Sequence, residues 1–160
     1  MVTEINNIIP HNVCDKIIQN FSNNLQPASI GVIGREDDFI VDSSSRLADT
    51  SPVDGPNIPP LKPLAQYISK ITNSPTTHQE CWSLIRYKPG GKYEPHYDSL
   101  QPGFTEANPR SHTFIFYLNE DYKGGETLFP EKNIKVLPKK GKMIYWKNLN
   151  SQNTCNPDTL

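Results

Sequence analysis

Residues 86–100 decide the fold and read Arg-Tyr-Lys-Pro-Gly-Gly-Lys-Tyr-Glu-Pro-His-Tyr-Asp-Ser-Leu. His96 and Asp98 lie near the centre of this stretch, with a single residue between them. In an extended strand, side chains two positions apart point to the same face, so this imidazole and this carboxylate are predicted to converge. Such a pair supplies two of the three ligands of a 2-His-1-carboxylate Fe(II) site. A His-x-Asp triplet without further support is more often part of a solvated turn.

Three further motifs follow in the second half of the chain. They are His112-Thr113-Phe114-Ile115-Phe116-Tyr117-Leu118-Asn119, Gly124-Gly125-Glu126-Thr127-Leu128-Phe129-Pro130 and Pro138-Lys139-Lys140-Gly141-Lys142-Met143-Ile144-Tyr145-Trp146. Together with residues 86–100, their order and spacing resemble the prolyl 4-hydroxylase family of Fe(II)- and 2-oxoglutarate-dependent dioxygenases. The resemblance covers nearly the whole chain and is strongest after Cys81.

The resemblance implies roles for four residues. His96 and Asp98 would be the catalytic metal ligands. Tyr87 and Thr127 match the family's tyrosine and threonine that donate hydrogen bonds to the C5 carboxylate of 2-oxoglutarate. Without the resemblance, Tyr87 is more simply a core aromatic and Thr127 an ordinary strand residue. The implied cofactors are Fe(II), 2-oxoglutarate and ascorbate.

The implied function is hydroxylation of prolyl residues in a peptide or protein, which would be the partner of the site. Two alternatives stay open. The first keeps the chemistry but changes the substrate to another amino-acid side chain or a small molecule. The second is a non-catalytic jelly-roll module that binds a partner without metal. Tyr93, Tyr97 and Trp146 could line a substrate groove or serve in packing alone.

The C-terminal end departs from the family pattern. Residues 156–160, Asn-Pro-Asp-Thr-Leu, resemble the segment that leads directly into the family's second metal-binding histidine. That histidine, the family's basic partner of the C5 carboxylate and the last strands would all come after Leu160. The chain is therefore either a fragment of an active enzyme or a degraded, inactive relative. In both cases we expect the 160-residue chain to release no succinate above background with Fe(II), ascorbate and a proline-rich peptide.

Composition narrows the class of protein. A length of 160 residues with 35% hydrophobic residues and 15 prolines favours one loop-rich β domain. The formal net charge of −1 gives no sign of a nucleic-acid partner. No apolar run approaches a membrane span, and the N-terminus lacks a secretory signal, so we expect a cytoplasmic protein with no membrane partner. The three cysteines have no metal-binding spacing and are expected to be reduced thiols.

The residue pattern predicts helices at 12–21 and 63–72 and a polar loop at 34–60. We expect this loop to lie over the mouth of the site, where Arg46 and Asp49 could touch substrate. Strands are predicted at 81–87, around His96 and Asp98, and at 112–118, 126–129, 134–136 and 142–146. The predicted fold is mainly β with N-terminal helices (α+β), a double-stranded β-helix or jelly roll whose C-terminal strands are missing. It forms one C-terminally incomplete domain over 1–160, with 1–75 as helical support and lid region and 76–160 as jelly-roll core.

Overall fold

The structure is a computed structural model that describes residues 2–32, 35–99 and 109–160, with the backbone alone at 32 and 35–38. The chain forms two compact units. The first combines Met1–Asp15 with Pro95–Leu160, and the second is Lys16–Glu94. The first unit is thus built from two segments that are distant in sequence. The predicted division of the chain at residue 75 stays a prediction.

The described helices are α1 (His11–Phe21) and α2 (Lys62–Thr72). The described strands are, in chain order, β1 (Thr3–Ile5), β2 (Gln26–Pro27), β3 (Ile30–Val32), β4 (Arg35–Ile40), β5 (Arg46–Leu47), β6 (Asp49–Val53), β7 (Trp82–Arg86), β8 (Lys92–Tyr93), β9 (His112–Phe116), β10 (Thr127–Phe129), β11 (Ile134–Val136) and β12 (Met143–Lys147). Short 3-10 turns occur at Ser22–Asn24, Gly55–Asn57, Thr76–His78, Pro130–Lys132 and Pro157–Thr159. None of the helices in these described ranges is long and apolar enough to cross a membrane.

The first unit is built on an antiparallel sheet of order β1-β12-β9 and on the antiparallel pair β10-β11. In the sheet, Thr113 pairs with Trp146, and Ile115 pairs with Ile144. Because side chains alternate across a strand, these four residues share one face, and Ile144 and Trp146 are buried on it. The core cluster of this unit consists of Tyr117, Phe129, Val136, Ile144 and Trp146.

The second unit contains the sheet β2-β6-β7 and the pairs β3-β4 and β5-β8. The helix α2 ends at Asn73, which adopts a left-handed conformation and closes the helix through its N–H to the Ser69 carbonyl. This helix buries Leu64, Ala65 and Ile68, which recur at helical spacing. Periodicity therefore predicted the extent of α2 and part of its buried face: of the predicted apolar face Leu64, Tyr67, Ile68 and Ile71, Leu64 and Ile68 are buried, whereas Tyr67 is exposed.

Two predicted elements differ from the structure. The polar loop predicted at 34–60 contains β4, β5 and β6, and β6 forms by pairing with β7 along its whole length. The strand predicted around His96 and Asp98 is wrong, because β8 ends at Tyr93 and both residues lie in an irregular segment. Pro102, Gly103 and Pro109 predict a loop at 99–110, and most of it falls on residues 100–108, outside the described residues.

Candidate metal centre

His96 and Asp98 lie just after β8, in the unit that contains the β1-β12-β9 sheet. Their side chains converge, with 3.2 Å between His96 Nε2 and Asp98 Oδ1, and are 35% and 22% exposed. Neighbouring ligands about 2.1 Å from one ion in an octahedral site lie about 3 Å apart. The separation of these two atoms therefore fits a pair of adjacent Fe(II) ligands.

The environment of Asp98 favours the ionised carboxylate. Burial acts to raise the pKa of Asp98, but hydrogen bonds with His96 and Thr113 and the positive charge of Arg110 act to lower it, and the pKa lies below its usual value. The Arg110 guanidinium also donates from Nη1 to the Asp98 main-chain carbonyl at 2.8 Å. A ligating carboxylate must be deprotonated, so this environment suits metal binding.

Thr127 belongs to a second pair of polar side chains in the same unit. Its Oγ1 on β10 lies 2.6 Å from the phenol oxygen of Tyr117, just after β9. Tyr117 is 8% exposed, and burial raises its pKa to about 12. The phenol is therefore neutral near pH 7, and two hydroxyl groups meet inside the core cluster.

Tyr87 lies in the other unit, one position after β7, and its side chain is 46% exposed. The structure thus brings His96, Asp98 and Thr127 into one compact unit, whereas Tyr87 belongs to the unit Lys16–Glu94. The assignment of Tyr87 to the cosubstrate site stays a prediction.

Arg46 and Asp49 have partners within the second unit. Arg46 stacks on the ring of Tyr93 at 4.6 Å and donates from Nη1 to the Ser29 carbonyl at 2.9 Å. The Asp49 carboxylate lies 2.8 Å from Arg86 and 2.9 Å from Lys88. Hydrogen bonds from these two cations lower the pKa of Asp49. Contact of Arg46 or Asp49 with substrate stays a prediction.

The sequence did not predict four residues that contact these side chains or their neighbours: Arg110, Thr113, Tyr117 and Asn148. Two of them carried a usable signal. Thr113 and Tyr117 are four positions apart in the predicted strand 112–118, so the alternation of side chains along a strand puts them on one face. Arg110 and Asn148 carried no such signal, because their contacts depend on folding across distant segments. Within the described ranges, no three or more His, Cys, Asp or Glu side chains lie close enough together to hold a metal ion.

Comparison with known proteins finds a matching family model and related chains. A family model described as the 2OG-Fe(II) oxygenase superfamily matches residues 82–156. The chain is 31% identical over 112 residues to prolyl 4-hydroxylase subunit alpha-2 of Gallus gallus. This alignment covers 67% of the present chain and 21% of that subunit. It is 27% identical over 164 residues to a prolyl 4-hydroxylase homologue of Acanthamoeba polyphaga mimivirus, covering 98% of this chain and 64% of that protein. The chain therefore spans less than two thirds of the length of these relatives.

The fold also has a solved counterpart. It superposes on the viral collagen prolyl hydroxylase of Paramecium bursaria Chlorella virus-1, solved as a 2OG complex, with a TM-score of 0.74. The identity is 22%, and the alignment covers 99% of this chain and 84% of that one. This likeness confirms the predicted double-stranded β-helix, or jelly roll. On the family model, the curated relatives and the shared fold together, this chain belongs to the prolyl hydroxylase family of 2OG-Fe(II) oxygenases.

Proposed function

We propose that this chain forms the Fe(II)- and 2-oxoglutarate-binding domain of a dioxygenase that hydroxylates prolyl residues in a peptide or protein. The observation that carries this proposal is the convergence of His96 Nε2 and Asp98 Oδ1 at 3.2 Å. The names of the relatives support the prolyl substrate, since they are prolyl 4-hydroxylases. The three cysteines are free, which supports a reducing compartment, and we propose the cytoplasm.

Two groups of residues would have separate roles, one in binding the metal and the other in binding the cosubstrate. His96 and Asp98 would hold Fe(II), which with 2-oxoglutarate and O2 supplies the hydroxylation chemistry when bound. In the hydrogen-bonded pair Thr127 and Tyr117, one hydroxyl donates to the other, and the remaining proton of the pair would donate to the C5 carboxylate of 2-oxoglutarate. Tyr87 stays a proposed donor to this carboxylate. Ascorbate would serve as the accompanying reductant.

A binding experiment with Mn(II) in place of Fe(II) tests the metal and cosubstrate sites without turnover. We expect the free Mn(II) EPR signal to fall on addition of the chain, and 2-oxoglutarate to tighten the binding. Asp98→Asn should weaken Mn(II) binding by at least about tenfold, because the substitution removes a charged ligand. Equal binding by this variant would contradict the metal site.

The substrate class is tested with the same loaded chain. Bound Mn(II) broadens the NMR signals of nearby protons, so a proline-rich peptide should show selective broadening of its proline ring protons. A matched peptide with alanine in place of proline serves as the control. Equal broadening along both peptides would favour another substrate. Peptide binding that needs no metal would favour the non-catalytic module.

A further inference from the structure

Arg110 links the start of β9 to the main chain of Asp98. Its Nη1 donates to the Asp98 carbonyl oxygen at 2.8 Å, across 12 positions of sequence. Asp98 lies outside the described strands, between the end of β8 at Tyr93 and the start of β9 at His112. Strand pairing therefore does not fix the backbone of Asp98, and a side chain from beside the sheet contacts it instead.

The main chain next to Arg110 is held by the sheet. The carbonyl of Ser111 accepts from the Asn148 N–H at 2.9 Å, and His112 pairs with Lys147 at the end of the β9-β12 ladder. Asn148 is 3% exposed, so this junction is buried. Arg110 therefore extends from a hydrogen-bonded part of the first unit to an irregular segment of the same unit.

We propose that Arg110 is a positioning residue, which holds the Asp98 carboxylate beside His96 through its hydrogen bond to the Asp98 carbonyl. A bond from a guanidinium is charge-assisted and stronger than one between neutral groups. By restraining the Asp98 carbonyl it limits rotation of the Asp98 backbone, on which the direction of the side chain depends. The separation of 3.2 Å between His96 Nε2 and Asp98 Oδ1 depends on that direction. This role rests on the proposed function, because it requires that Asp98 bind the metal.

The positive charge of Arg110 by itself predicts the opposite effect on metal affinity. A guanidinium near the site repels a divalent cation, so its removal would tighten binding if charge were its only influence. A positioning role predicts weaker binding on removal, because the Asp98 ligand loses its fixed orientation. The sign of the change in affinity therefore separates the two effects.

The first test measures the affinity of the chain for Mn(II) alone, by EPR. Arg110→Met removes the charge and the donor and should weaken binding by about tenfold, the lower end of the usual range for groups that orient metal ligands, because the guanidinium is exposed. Arg110→Lys retains a charged donor and should bind within about threefold of the wild type. The control Lys147→Met removes a positive charge at the same end of the ladder and should bind at least as tightly as the wild type.

The second test measures the restraint on Asp98 without metal, by NMR relaxation of its backbone amide. The order parameter of this amide should fall in Arg110→Met, from about 0.85 towards 0.6 or below. In Lys147→Met it should stay at the wild-type value. An unchanged order parameter in Arg110→Met would overturn the positioning role, whatever the metal affinity of that variant.

The outcomes separate this role from the proposed function. Equal or tighter Mn(II) binding by Arg110→Met, together with weaker binding by Asp98→Asn, would overturn the positioning role and retain the metal site. Unchanged affinity in Asp98→Asn, or no Mn(II) binding by the wild type, would overturn both.

Discussion

Tyr117 carries a buried phenol that shares a hydrogen bond with the neutral hydroxyl of Thr127, at 2.6 Å. Such a group favours its protonated form in the folded protein, because burial penalises the phenolate. Because the pKa of Tyr117 is raised from 10.0 to about 12 in the folded protein, its deprotonation lowers the free energy of unfolding.

The pH dependence of unfolding should report Tyr117. The folded state holds the phenol proton more tightly, so its contribution is complete below pH 10 and is lost as pH rises from 10.0 through about 12. The full loss amounts to about 3 kcal/mol. Tyr117→Phe should remove this alkaline loss in urea unfolding and cost about 1 kcal/mol near neutral pH. The control is Tyr67→Phe, since Tyr67 is an exposed residue of α2, and this variant should retain the alkaline loss of stability. Retention of the loss in Tyr117→Phe would contradict the role of the buried phenol.

At the scale of elements, the turn before β12 depends on Gly141. Its φ is +79°, and a Cβ built there would lie 2.5 Å from the Ile9 carbonyl oxygen. Its own carbonyl accepts from the N–H groups of Ile8 and Ile9, at 2.9 and 3.2 Å. The turn at Gly141 therefore packs so closely against the segment before α1 that position 141 has no room for a side chain.

Substituting this glycine should be far more costly than substituting one with open space around it. Gly141→Ala should lower the free energy of unfolding by more than about 3 kcal/mol, because a left-handed backbone strain adds to a clash with main-chain atoms. Gly90, with φ +81° and nothing within 4 Å, is the matched control. Gly90→Ala should cost only about 1 kcal/mol. Equal losses in chemical denaturation would show that the segment at Ile9 moves aside.

Elements with a strong local pattern were predictable, and those made by distant pairing were not. The helix α2 and the strand β9 carry their periodicity within a single run of residues. Strand β6 reads Asp-Thr-Ser-Pro-Val, a polar run that becomes a strand only because it pairs with β7. His96 and Asp98 converge as predicted, but from an irregular segment and not from a strand. Their role as metal ligands stays a prediction.

At the scale of the whole molecule, the site was predictable where it is local in sequence. His96 and Asp98 lie in one short motif, whereas Arg110, which donates to the Asp98 carbonyl, lies 12 positions further on, and Asn148 donates to Thr113 over a separation of 35 positions. Hydrogen bonds between residues so far apart in the chain produce no periodic pattern in a single sequence. The supporting residues could therefore be found only from the folded chain.

Lys142 joins the two segments of the first unit. It is 7% exposed, and its ammonium donates to Glu4 Oε2 and to the Leu137 carbonyl, both at 2.8 Å. Lys142→Met should lower the free energy of unfolding by about 1.5–3 kcal/mol, since hydrogen bonds to a charged group are lost. Lys135→Met removes the exposed pair of Lys135 with Glu126 and should cost less than about 1 kcal/mol. Similar losses in the two variants would contradict a special role for the buried lysine.

The pairing of β1 with β12 has a consequence for the biosynthesis of the protein. Thr3 finds its partner Tyr145 only after nearly the whole chain has been translated. At about 5–20 residues per second, the ribosome takes on the order of ten seconds or more to make that partner. Lys16–Glu94 is synthesised in the meantime and can fold as a continuous segment. During that interval β1 lacks the strand with which it pairs in the folded protein, and its N–H and C=O groups stay open to other partners.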